Sequence, residues 1–170
     1  MIVTSLPHTW CPSVNFGERK APVDMLLMHY TGMKSGQGAV NWLCHEGSGV
    51  SCHYLVDVDG AITQMVCESK RAWHAGKSCW LGLTDINSCS VGIEVQNAGP
   101  LENFPDFPDV QMAAVIELSK DIIARHTIPA DRVLGHSDVA PGRKIDPGEK
   151  FPWAFLAQNG VGIWPRVLQT

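Results

Sequence analysis

Apolar residues recur along this chain with two different periods, and the periods divide it into elements. Between 109 and 126, Met112, Val115, Ile116, Ser119, Ile122 and Ile123 fall three or four residues apart. That spacing lines one face of a helix. It predicts a helix over 109–126, with Asp109 at its start and Pro129 beyond its end. The stretch 24–30 holds Met25-Leu26-Leu27-Met28, apolar without alternation, which predicts a strand covered on both faces. The stretch 90–96 reads the same way. Two further strands, 52–58 and 61–66, flank the turn dipeptide Asp59-Gly60 and predict a hairpin. A short helix is predicted over 37–46, with Val40, Leu43 and Cys44 on one face and Gly47 and Gly49 closing it. A short strand over 132–134 and a last helix over 152–158 complete the set. Residues 1–23, with prolines at 7, 12 and 22, read as irregular. Residues 69–89 read as one long loop, and a loop of that length in a compact domain is usually functional. Strands flank helices without strict alternation. The expected fold class is therefore α/β (α+β), a central mixed β-sheet flanked by helices, in one domain spanning 1–170.

Composition narrows the function classes. The chain has 170 residues, 45% of them apolar, and a formal charge of −4. A chain of this size buries roughly 70% of its unfolded surface and needs no staples. No basic run marks a nucleic-acid or membrane surface. No stretch approaches the roughly 18 apolar residues of a membrane span. The N-terminus lacks a basic segment followed by an apolar one, so no export leader is read and a cytoplasmic location is expected. The six cysteines, at 11, 44, 52, 67, 79 and 89, include no Cys-x-x-Cys pair. They read as reduced thiols.

Candidate chemistry concentrates in Gly135-His136-Ser137-Asp138-Val139-Ala140-Pro141-Gly142-Arg143-Lys144-Ile145-Asp146-Pro147-Gly148. Its prolines and glycines describe a shaped loop, not a helix. His136 and Asp146 are both good zinc ligands, but a catalytic zinc usually takes three protein ligands and a water. The third candidate is His29, at the end of the apolar run; His74 is the next. Lys144 could stabilise an oxyanion beside such a metal, or be an ordinary surface lysine. Glu94 stands among apolar residues in a strand pattern. It is either a water-facing glutamate or a desolvated proton carrier with a raised pKa. Trp73 and His74, in Trp73-His74-Ala75-Gly76, lie in the long loop, where His74 could bind a substrate or the groups that surround the metal ligands. His53 reads as structural, and His8, His45 and His126 carry no assignment.

Five ordered segments together carry a resemblance. They are Leu27-Met28-His29-Tyr30-Thr31, Ser51-Cys52-His53-Tyr54-Leu55-Val56 with Asp59-Gly60, Ala72-Trp73-His74-Ala75-Gly76, Ser90-Val91-Gly92-Ile93-Glu94, and the loop from His136 to Gly148. The chain resembles the zinc-dependent N-acetylmuramoyl-L-alanine amidases of the AmpD and AmiD type, relatives of phage amidases and peptidoglycan recognition proteins. The resemblance spans roughly 24–165, and Phe151-Pro152-Trp153 with Gly162-Ile163-Trp164-Pro165 is closer to the AmiD branch. It implies a mixed sheet flanked by helices and a Zn2+ cofactor held by His29, His136 and Asp146. It also implies Glu94 and Lys144 as catalytic residues, with Trp73, His74 and Asn87 as substrate contacts. The implied reaction is hydrolysis of the amide between N-acetylmuramic acid, in its 1,6-anhydro form, and L-alanine of the stem peptide. The implied partner is a muropeptide or peptidoglycan fragment, with no nucleic acid, membrane segment or protein partner. Phage-type relatives have a tyrosine where Cys52 stands, which excludes a tyrosine acid there. AmiD-type enzymes are exported lipoproteins, and the lack of a leader favours an AmpD-like cytoplasmic role. Two other classes compete: a peptidoglycan-binding module without catalysis, and a zinc peptidase cutting elsewhere in the stem.

Overall fold

The computed structural model of the protein describes residues 4–165; Met1, Ile2 and Val3, part of the stretch read for a leader, lie outside the described residues. In chain order the elements are β1 (Thr9–Trp10), β2 (Phe16–Glu18), β3 (Met25–Tyr30), α1 (Gly36–Cys44), β4 (Tyr54–Val56), β5 (Ile62–Gln64) and β6 (Lys70–Ala72). Then follow α2 (Ile86–Cys89), β7 (Ser90–Val95), α3 (Asp109–His126), β8 (Val133–Gly135), α4 (His136–Val139) and α5 (Trp153–Gln158). Six strands form one mixed sheet in the order β1-β5-β4-β7-β3-β8. β3 runs parallel to both β7 and β8, β4 parallel to β7, and only the β4–β5 hairpin is antiparallel. β2 and β6 form a separate antiparallel pair.

The central position of β3 explains its composition. It is paired on both edges and covered on both faces, so each side chain from Met25 to Met28 is fully buried. Leu26 and Met28 share one face with Val91, Ile93 and Val95 of β7, and pack against Met112, Val115, Ile116, Leu118 and Ile122 of α3. Ser119 in that helical stripe is buried, with its hydroxyl donating to the Val115 carbonyl at 2.6 Å. Met25 and Leu27 face the other way, against Ala75, Ile86, Leu134 and Val139. On this second face α1 lays Ala39, Val40 and Leu43 over Cys52, Leu55 and Met65. Ser35 caps α1, its hydroxyl accepting from Gly38 N at 3.2 Å.

Three expectations need correction. The stretch 1–23 carries β1 and β2, and 69–89 carries β6 and α2. These elements are two to four residues long, too short for any periodic signal. The segment after β8, read as loop only, begins with the helical turn α4. Its Pro and Gly punctuation acts only from Pro141 onward. Among the described residues, no helix is long and apolar enough to cross a membrane.

Candidate active site

Three parallel strands deliver the candidate residues to one end of the sheet. His29 is the fifth residue of β3 and Glu94 the fifth of β7, side by side in register. Both point to the face away from α3, because Met28 and Ile93 beside them pack on it. β8 pairs Gly135 with Met28, so His136 leaves the sheet next to His29. The loop then returns Asp146, held by the Ser137 amide donating to its carbonyl at 3.0 Å. The carboxyl ends of parallel strands are where open α/β sheets place ligands. A cavity of about 660 Å³ opens there, with His29, Glu94, His136, Lys144 and Asp146 among its lining. Exposed apolar side chains, Trp42, Val50, Leu101 and Ile145, also line it.

At the cavity floor three ligand atoms converge. His29 Nδ1 lies 3.0 Å from His136 Nδ1 and 2.9 Å from Asp146 Oδ2, and His136 Nδ1 lies 3.0 Å from the same oxygen. Three atoms each about 2.0–2.1 Å from one tetrahedral zinc stand about 3.3 Å apart, so the spacing fits a small cation. Proton accounting points the same way. His136 Nε2 meets the Ala75 carbonyl at 2.9 Å, and a carbonyl only accepts, so the ring proton sits on Nε2. Arg143 Nη2 is farther from that nitrogen, 3.4 Å, and donates to the Ala75 carbonyl at 2.7 Å. In the neutral ring Nδ1 then presents a lone pair to the other two atoms. Clustered lone pairs repel unless a cation lies among them. His29 is buried, and burial foremost pushes its pKa down. Burial would raise Asp146, but a proton held on Nδ1 of His136 or His29 when no cation is bound would bond to the carboxylate, and that bonding outweighs burial and holds the carboxyl well below its usual range. Neutral imidazoles and an ionised carboxylate are the forms a divalent metal needs.

Glu94 differs from its neighbours. Its Oε2 is buried and has no hydrogen-bond partner among the described residues. Burial pushes its pKa well above the usual value; Asp146 adds to this and Lys144 opposes it. A desolvated carboxylate oxygen without a partner, beside a metal-competent cluster, is a candidate proton carrier. Lys144 is exposed and lines the same cavity.

The loop residues separate. Trp73 is half-buried and lines the cavity. His74 lines it too, but is buried, with Nδ1 2.9 Å from His29 Nε2. Asn87, expected to touch substrate, is buried in α2 and turned to the backbone. Its Oδ1 accepts from His74 N at 3.0 Å and Ala75 N at 2.8 Å. Arg143 also lines the cavity, and sequence reasoning passed over it; its place beside Lys144 was the available signal. Cys52 lies within ligand distance of His29 and His74, but it is fully buried and burial pushes its thiol well up. That makes it a poor thiolate ligand.

Comparison with known proteins decides the family. The profile of the N-acetylmuramoyl-L-alanine amidase family (Amidase_2) matches residues 19–149. The chain belongs to the N-acetylmuramoyl-L-alanine amidase family. It is 41% identical over 155 residues to the amidase AmiD of Escherichia coli, covering 84% of this chain and 55% of AmiD. It is 41% identical over 105 residues to the 1,6-anhydro-N-acetylmuramyl-L-alanine amidase AmpD of Haemophilus influenzae, covering 61% of this chain and 55% of AmpD. The chain thus spans about half the length of the curated amidases it matches. Among solved structures it superposes on E. coli AmiD in complex with the substrate anhydro-N-acetylmuramic acid-L-Ala-D-γ-Glu-L-Lys. The TM-score is 0.78 at 36% identity, covering 89% of this chain and 68% of that one. This agrees with the mixed sheet flanked by helices expected for the amidase fold.

Proposed function

We propose that this chain is a zinc-dependent N-acetylmuramoyl-L-alanine amidase. It hydrolyses the amide between N-acetylmuramic acid, in its 1,6-anhydro form, and L-alanine of the stem peptide, in peptidoglycan degradation and recycling. The whole described chain serves as one amidase domain. The reading rests on the convergence of His29 Nδ1, His136 Nδ1 and Asp146 Oδ2 within about 3 Å of one another on the floor of a substrate-sized cavity. The names of AmiD and AmpD and the anhydromuropeptide bound to AmiD support the substrate class.

In this reading His29, His136 and Asp146 hold zinc, which when bound supplies Lewis acidity toward the scissile carbonyl and toward a water. Glu94 takes the proton of the attacking water on its unpartnered oxygen and returns it to the leaving amine nitrogen. Its desolvated site keeps the carboxyl basic enough to accept, and a cation at the triad pulls it back toward the ionised form. Lys144 places an ammonium where negative charge develops on the carbonyl oxygen. Trp73 packs against the substrate from the cavity wall, its ring suited to a sugar face. The proposal includes a cytoplasmic location.

Mass spectrometry of the products tests this, on an anhydro-muropeptide and on intact peptidoglycan, with and without a chelator. The expected result is chelator-sensitive release of free stem peptide and intact sugar from the anhydro substrate. Cleavage inside the stem would make the protein a peptidase. Binding without cleavage in the zinc-loaded protein would make it a recognition module.

A further inference from the structure

We propose that His74 is a positioning residue, fixing the tautomer of His29 so that its Nδ1 lone pair faces the triad. The inference rests on the metal-centre reading above and deepens it. His29 Nε2 lies 2.9 Å from His74 Nδ1, and His74 Nε2 lies 3.3 Å from Ser90 Oγ. Ser90 Oγ in turn donates to the Ile86 carbonyl at 2.6 Å. All three side chains are buried. A carbonyl oxygen has only lone pairs, so the chain has one polarity. The Ser90 proton points to Ile86, the His74 proton to Ser90, and the His29 proton to His74. Reversing any link would set two donors or two lone pairs face to face, which leaves a buried polar group unsatisfied.

The surrounding residues hold this chain in place. Asn87 Oδ1 clamps the amides of both His74 and Ala75. The same dipeptide therefore orients both histidines of the triad, His29 through the His74 ring and His136 through the Ala75 carbonyl. Gly92 makes room on the sheet, since a Cβ there would lie 2.6 Å from His74 Nδ1. The arrangement is unusual in kind. Metal-bound histidines usually donate to a carboxylate, a carbonyl or water, and here the acceptor is a neutral imidazole anchored through a serine.

Zinc affinity by chelator competition, with 15N spectra of the histidine-labelled zinc-loaded protein, tests the proposal. In the wild type the spectra should place the His29 proton on Nε2. His74→Leu removes the acceptor and should weaken zinc binding by about 10–100-fold. His74→Asn can set an amide oxygen where Nδ1 stood and should recover most of that loss. Ser90→Ala, the milder change if the leucine variant fails to fold, should weaken binding severalfold. A folded His74→Leu or Ser90→Ala protein with wild-type zinc affinity would overturn the inference, as would a His29 proton on Nδ1. If the asparagine variant stays as weak as leucine, the ring acts by shape and the tautomer role falls. A wild-type protein that takes no zinc would bring down the metal reading itself, a result distinct from all of these.

Discussion

Two glutamates, one wholly buried and one half-buried with a buried carboxylate oxygen, meet opposite surroundings in this molecule. Glu68 is fully buried, and every contact it makes is answered. Tyr54 OH donates to Oε1, Arg125 Nη2 reaches the same oxygen at 2.5 Å, and His126 Nε2 lies 2.6 Å from Oε2. Glu94 has a buried oxygen with no partner among the described residues. Burial pushes both carboxyls up. At Glu68 the bonds from His126, Arg125 and Tyr54 outweigh it and the pKa falls below its usual value; at Glu94 burial prevails and the pKa rises. The same side chain is thus a structural anchor in one place and, in the proposed function, a reagent in the other. The difference lies in whether the fold supplies the second half of each interaction or leaves it to a substrate.

The comparison breaks most visibly at Glu94. Glu94→Gln keeps the shape and removes the proton carrier. It should lower turnover by about 10²- to 10⁴-fold while leaving zinc content and thermal stability close to wild type. Steady-state kinetics with metal analysis check this, and a variant retaining full turnover would return Glu94 to the ranks of ordinary buried acids. Glu68→Ala should do the reverse. It strands the Tyr54 hydroxyl and His126 and leaves Arg125 only its pair with Asp121, so a loss of about 3–5 kcal/mol of stability is expected, read by denaturant unfolding. The folded fraction should keep its turnover.

Much of this was legible in the chain, and the physical reason differs from part to part. β3 and α3 announce themselves because each buries a long periodic face. His29, Glu94, His136 and Asp146 could be singled out because polar groups in apolar or turn-rich settings are conspicuous. β2 and β6 could not, since their pairing joins residues more than 50 positions apart through three-residue strands. Glu68 was passed over because its partners Tyr54, Arg125 and His126 are assembled only by the packing of α3 on the sheet. Asn87 was expected to face substrate because an exposed-looking loop hid α2, which turns its amide inward to Ala75 and His74.

Acid should sharpen the contrast between answered and unanswered groups. His53 is fully buried, its Nδ1 accepting from Gly92 N at 3.0 Å, which leaves Nε2–H to donate to the Lys70 carbonyl at 3.0 Å. Burial, then the Arg19 guanidinium 2.9 Å away, lowers its pKa from 6.5 to about 3. A lowered pKa contributes stability that is complete above 6.5 and is lost as pH falls toward 3. Each pH unit in that window removes up to about 1.4 kcal/mol. The Glu68 contribution is complete above its ordinary 4.5 and is lost only below it. Between pH 6.5 and 4.5 the slope of unfolding free energy should therefore flatten in His53→Gln, whereas Glu68→Ala should alter it only below 4.5. Equal slopes in wild type and His53→Gln would contradict a neutral buried His53.

The smallest effect belongs to a third acid. Glu18 pairs with Lys70 across β2 and β6, but its side chain is 78% exposed and that of Lys70 37%. Here water already solvates both charges, and holding two flexible side chains together costs side-chain entropy. Glu18→Ala should therefore change stability by less than about 0.5 kcal/mol, and what effect remains should vanish in high salt. Denaturant unfolding at low and high ionic strength checks both statements. A loss as large as that at Glu68 would mean that pairing alone, without burial, sets the worth of a carboxylate in this fold. The distinction between Glu68 and Glu94 would then need another cause.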